Sequence, residues 1–172
     1  MILLITKAQA MAFLQIAVGV SDTEYEKFIE QAQDFDLKEL VCEEFYHDLL
    51  KNKTQENYAK LITGGEYEYN ENTYSFKGLA GVLAFFSYAR FQLESPAVST
   101  SFGMQFKTTP NSQPVPLEER RNTYYQKKSQ ANKLMEDVVK YIERNIELFP
   151  KYNCQNKCGS SSTGGFSTKV IQ

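Results

Sequence analysis

One histidine, His47, is all that a chain of 172 residues has. That excludes most active sites in which imidazole serves as base, nucleophile or repeated metal ligand. Cysteine is nearly as scarce, at Cys42, Cys154 and Cys158. Three are too few for a disulfide framework and fit a reducing compartment. Cys42 and His47 are five residues apart, so on one helix they face about 140° from each other. That angle argues against a Cys–His dyad and against a zinc site completed by Cys154 and Cys158. Glu44-x-x-His47 matches the helical fragment of di-iron carboxylate proteins, but a single histidine cannot supply the second copy such a site needs. No Gly-x-Gly-x-x-Gly, P-loop or Gly-x-Ser-x-Gly pattern occurs. These absences point to a protein that is not an enzyme and holds no cofactor or metal. The weaker catalytic alternative would draw acid and base from the acidic segment described below.

Long hydrophobic runs are also lacking. The longest, from Gly78 to Ala89, is too short to span a bilayer and suits a buried helix, so no membrane role is expected. The start, "MILLITKAQAMAFLQ", has no basic leader and is interrupted by Lys7, Gln9 and Gln15, which reads against a signal peptide. Net charge is −2, without the basic excess of a nucleic-acid-binding domain. The charge is uneven, however. Asp22 to Asp48 carries ten acidic residues against two lysines, and Glu118 to Lys133 carries five basic residues against two acidic ones. Each run reads either as a solvated helix face or as one half of a contact between copies of the chain.

Proline is confined. Four of the five lie in Ser95–Pro116, "SPAVSTSFGMQFKTTPNSQPVP", whose single charge is Lys107. On either side the sequence is helical. Structureless loops longer than ~12–15 residues are uncommon and usually functional. Here Phe102, Met104 and Phe106 alternate with polar or small residues, which predicts an extended strand over Val98–Thr108 with one apolar edge. That edge would lie against an adjacent subunit or against a hairpin of the same chain.

The helical remainder is legible from its punctuation. Thr6 caps a short helix ended by Gly19. Ser21 with Glu24 opens a second, carrying apolar residues from Tyr25 to Leu49 and loosened near Asp34 and Asp36. A third spans about 55–63 and stops at Gly64-Gly65. "EYEYNENTYSF" alternates on both sides of Asn70–Thr73 and predicts a β-hairpin. "KGLAGVLAFFSYARFQLE" is apolar nearly all round and predicts a central helix, with Arg90 reaching water or a carboxylate. Leu117–Phe149 has neither proline nor glycine and predicts one long helix. Its second half is apolar along one stripe. Its first half, "EERRNTYYQKKSQ", offers only Tyr124 and Tyr125 and is expected to project. The expected fold is mainly α: a helical body around a buried central helix over 1–150, an extended loop at 95–116, and a flexible tail over 151–172. In that tail Phe166, Thr168, Val170 and Ile171 read as a docking strand.

Three segments together resemble a known family. "FIEQAQDFDLKELVCEEFYHDLL" resembles the second helix of head–tail connector (adaptor, neck ring) proteins of tailed bacteriophages. "YSFKGLAGVLAFFSYARF" is similar to the aromatic-Lys-Gly-Leu start and Tyr-Ala-Arg-aromatic end of their central helix. "VSTSFGMQFK" is similar to the Thr-x-Phe-Gly stretch that follows it. The likeness covers about residues 2–149 and is greatest to versions in crAss-like and other Bacteroidetes phages. It rests on order and spacing, not on any catalytic motif, and the tail after Pro150 takes no part in it.

The resemblance implies a virion protein of the head–tail junction, assembled in the host cytoplasm. It implies a homo-oligomeric ring, commonly of twelve copies, that binds the portal protein and other neck or tail rings. DNA would pass through the lumen without sequence-specific binding. Inter-subunit contacts are then expected at Val98, Phe102, Met104, Phe106, Tyr124 and Tyr125. The acidic run would face either the DNA channel or the basic run of a neighbour. The alternative, from another class, is a monomeric or dimeric helical binding or regulatory protein.

Overall fold

The computed structural model describes residues 2–95, 97–100, 103–106 and 115–152, with the backbone alone for 97–100 and 103–106. The chain is mainly helical. In order it forms α1 (Lys7–Met11), α2 (Asp22–Ala32), a π-helical turn (Gln33–Leu37), α3 (Lys38–Val41), α4 (Glu43–Asn52), α5 (Glu56–Thr63), β1 (Gly65–Tyr69), β2 (Asn72–Phe76), α6 (Gly78–Glu94), β3 (Ala97–Thr100), β4 (Gly103–Phe106) and α7 (Leu117–Arg144). A short 3₁₀ turn (Ile146–Leu148) follows.

Helix starts follow their capping residues. The Thr6 hydroxyl accepts from the Gln9 amide while the Gln9 side chain accepts from the Thr6 amide. Ser21 accepts from the Glu24 amide. Helix α1 ends at Met11, well before Gly19, so Phe13 and Leu14 reach the core from the connecting segment. The expected second helix is four pieces. The π-helical turn falls at Asp34 and Asp36, where loosening is expected. The break at Cys42 carries no glycine or proline signal: its φ of 66° turns the chain before α4.

Helix α6 is the centre. Leu79, Val82, Leu83, Ala84, Phe86 and Ala89 are buried on it, with α2, α5 and α7 packed around it. Tyr25 of α2 donates or accepts at Ser87 Oγ (3.1 Å), and its ring meets Phe91 at 5.5 Å. Hairpin β1–β2 turns at Asn70 and Glu71, both with positive φ, as a two-residue turn matching the strand twist requires. It caps the far end of α7, where Phe76 stacks on Tyr141 (4.2 Å).

Two expectations are corrected here. The first half of α7 does not project but lies along α6. Arg120 is buried, with Nη1 donating to the Leu93 carbonyl (2.8 Å), and Lys127 sits 5.4 Å from the Phe85 ring centre. Long cationic side chains cover α6 where apolar residues are missing, because their aliphatic stems bury while their heads reach polar groups. Segment 98–108 is not a single strand. Strands β3 and β4 pair antiparallel with each other, Ala97 with Phe106 and Ser99 with Met104, and not with β1–β2. The body also continues past residue 150. Tyr152 is buried against Phe45 (5.1 Å), and Lys151 pairs with Glu44 (3.0 Å).

Candidate assembly surface

The point where α6 ends and α7 begins organises one side of the molecule. Helix α6 stops at Glu94 and α7 starts after Pro116, so hairpin β3–β4 springs from between them. Arg120 ties these two ends together through the Leu93 carbonyl, where a cation also suits the negative end of α6. Val115 and Leu117 beside this root are exposed. Among the described residues the hairpin's strands bond only to each other, which leaves an open edge on each.

Two turns further along α7 lies a cluster of charge and aromatic rings. Asp36, on the π-helical turn, has a side chain only 3% exposed. Arg90 Nε of α6 donates to its Oδ2 (2.7 Å), and Lys128 Nζ of α7 meets its Oδ1 (3.2 Å). One carboxylate thus joins three elements and links the acidic run to the basic run within a single chain. Burial works against the charge on Lys128, but the Asp36 carboxylate and the Tyr124 hydroxyl outweigh it and raise its pKa. The π-helical turn that points Asp36 inward leaves its neighbour Phe35 63% exposed, 5.4 Å from the Arg90 guanidinium. On the other flank Lys128 lies 5.9 Å from the Tyr124 ring centre, and Tyr124 meets Tyr125 edge-on at 5.3 Å. Tyr125 is 66% exposed.

The expected contact residues therefore divide. Tyr124 and Tyr125 come together on this face, Tyr124 half-buried against Lys128 and Tyr125 open. Val98, Met104 and Phe106 are on the hairpin, but Val98 pairs with Gln105, at positions alternating with those of Met104 and Phe106. Phe102 lies outside the described residues, as do Phe166, Thr168, Val170 and Ile171. Phe35, Asp36, Arg90 and Lys128 were not among the expected contacts. A buried Asp on an acidic run and its partners on α6 and α7 share no local pattern. The expected carboxylate partner of Arg90 is present and is Asp36.

Elsewhere, Arg144 lies over Tyr74 (4.0 Å) and Tyr69 (4.7 Å) and donates to the Tyr67 hydroxyl (2.8 Å), fixing hairpin β1–β2 to α7. His47 approaches Glu43 at 3.7 Å. Among the described residues no three His, Cys, Asp or Glu side chains gather as a metal site, and no helix is long and apolar enough to cross a membrane. Cys154 and Cys158 lie outside the described residues.

A family model, DUF6712, described as a family of unknown function, matches residues 37–162. The match takes in α6, both hairpins and α7. No curated protein and no solved structure matches the chain.

Proposed function

The chain belongs to DUF6712, a family of unknown function, and we propose that it is a structural ring subunit of a phage head–tail connector, without catalysis. The supporting observation is the β3–β4 hairpin rooted between α6 and α7. It bonds only to itself among the described residues, beside exposed Val115, Leu117 and Tyr125. A subunit in a closed ring must present two different faces, one to each neighbour. An extended element standing off a helical body suits that task, since open strand edges supply main-chain bonds and alternate side chains supply selectivity. The likeness of segments 28–50, 74–91 and 98–107 to neck ring proteins supplies the setting: a ring at the portal, in the virion, through which DNA passes.

The test is electron microscopy and native mass spectrometry of the purified chain, alone and with the portal protein of the same phage. Rings in either preparation are the expected result. A chain that stays monomeric and does not bind the portal overturns the reading and favours a monomeric binding protein.

A further inference from the structure

The outer face of α2 carries an acidic ladder without a counter-ion among the described residues. Glu26 and Glu30 are four residues apart, a repulsive spacing on one helix. Neither has an ion-pair partner among the described residues. Of the other eight acids of this run, four are ion-paired, Asp22 with Lys7, Asp36 with Arg90 and Lys128, Glu43 with Lys38, and Glu44 with Lys151, and two, Asp34 and Asp48, accept from the Tyr46 and Tyr58 hydroxyls. Glu26 and Glu30 instead flank an open groove of about 230 Å³ with Leu3, Thr23 and Lys27. Leu3 is held in place there. The Gln33 side chain bonds to Ile2 and Leu4 on either side of it, and Lys53 donates to the Leu3 carbonyl (3.2 Å).

The face around Asp36 has the opposite character. Asp36 is already matched by Arg90 and Lys128. Arg121 is exposed and has no ion-pair partner among the described residues, one turn before the exposed Tyr125. Arginine and tyrosine are the side chains most often found as anchors of protein interfaces.

We infer that these two faces bind each other between copies of the chain. Tyr125 of one copy enters the groove beside Leu3 of the next, and Arg121 pairs with Glu26 and Glu30. This rests on the ring reading and names its subunit contact. A tyrosine fits such a groove because its ring covers Leu3 and the Lys27 stem, while its hydroxyl donates to a carboxylate. Because the two faces are different surfaces, the contact is head-to-tail, the kind that closes rings.

Charge reversal tests it. Arg121→Glu on one chain, and Glu26→Arg with Glu30→Arg on another, alter exposed or half-buried side chains and are expected to leave the circular dichroism unchanged. In sedimentation velocity up to several hundred micromolar, wild type associates, and more weakly as salt rises. Each reversed chain alone associates about tenfold more weakly or worse. An equimolar mixture of the two recovers association, because every junction in an alternating assembly is again matched. Tyr125→Ala is expected to weaken association without being rescued by the mixture partner. Association of Arg121→Glu equal to wild type, or no recovery on mixing, overturns the pairing. A wild-type chain that stays monomeric alone also overturns it, while the ring reading is then decided separately by the portal experiment.

Discussion

Asp36 is a charge held at 3% exposure, and Arg90 and Lys128 offset its desolvation from two different helices. Removing one member of a buried pair leaves the others uncompensated, which costs about 3–5 kcal/mol where all are dry. Lys128 is 40% exposed and Arg90 16%, so water screens part of that. Asp36→Ala is therefore expected to lower stability by about 2–3 kcal/mol in urea titration. Lys128→Met is expected to cost no more than about 1. An equally small loss for Asp36→Ala would mean that these ion pairs do no more than offset the burial of the carboxylate and add little to stability. A second prediction at this scale concerns alkali. Burial pushes the Tyr25 hydroxyl to about 12. Burial, with the Asp48 carboxylate accepting a hydrogen bond from the hydroxyl, does the same for Tyr58. Both are acids whose folded pKa exceeds the unfolded value near 10. The folded state keeps its protons while the unfolded state releases them. Their contribution is thus complete below pH 10 and is lost as pH rises from about 10 to about 12. Stability measured across that window should fall, and Tyr25→Phe should make the fall shallower.

At the scale of elements, two glycines join α5, hairpin β1–β2 and α6. Gly64 and Gly78 both have positive φ, 78° and 63°, and their backbones pass in contact. A Cβ on Gly78 would strike the Gly64 amide and the Ile62 carbonyl, both backbone atoms that cannot give way. Gly78→Ala is expected to lower the melting temperature by about 4–12 °C, consistent with ~2–3 kcal/mol of strain. The opposite sign is expected at the hairpin tip. Glu71 has φ 63°, a left-handed conformation that costs a side-chain-bearing residue about 1–2 kcal/mol. Glycine removes that strain but loses ~0.5–1 kcal/mol through its freer unfolded chain. Glu71→Gly should therefore stabilise by about 0.5–1 kcal/mol, read from the same melts. The elements that were legible in the sequence are those with local signals: Ser21 and Thr6 as caps, Gly64 as a stop, Asn70-Glu71 between alternating strands, and the uniformly apolar α6. Those that were not depend on distant partners. Cys42 turns the chain without a breaker residue. Arg120 is buried because a carbonyl 27 residues earlier is waiting for it. Asp36 is buried because of cations on α6 and α7. No window of sequence contains both halves of such a pair. The same holds for segment 98–108, whose alternation predicted extended chain but could not say that it pairs with itself.

For the molecule as a whole, the described body can be followed past the proline at which the sequence pattern ends. Pro150 is where the long helical pattern stops in the sequence, yet the described fold goes on at least to Tyr152. The Tyr152 ring packs edge-on against Phe45, next to Phe149 and Tyr58. Lys151 reaches Glu44 on the surface, a contact worth little. A chain ending after Pro150 loses the burial of one aromatic ring and should be less stable by about 1.5–3 kcal/mol. A chain ending after Tyr152 keeps that ring and should melt as the full chain does. The comparison separates folding from assembly. Residues 153–172 contain a Gly/Ser-rich stretch followed by Phe166, Val170 and Ile171, three apolar side chains that a purely solubilising tail does not require. If Phe166–Ile171 dock as a strand on the portal or the next ring, the chain ending at Tyr152 will fold normally, form its own ring contacts and bind that neighbour more weakly. A Gly/Ser-rich linker reaching roughly 5–6 Å × √n would let such a strand search for an edge near its own subunit. Pull-down of the portal and virion assembly with the shortened chain provide the measurement. Wild-type binding and wild-type virion yield from a chain ending at Tyr152 would remove the tail from assembly and leave the hairpin and the α2 and α7 faces as the proposed surfaces of contact.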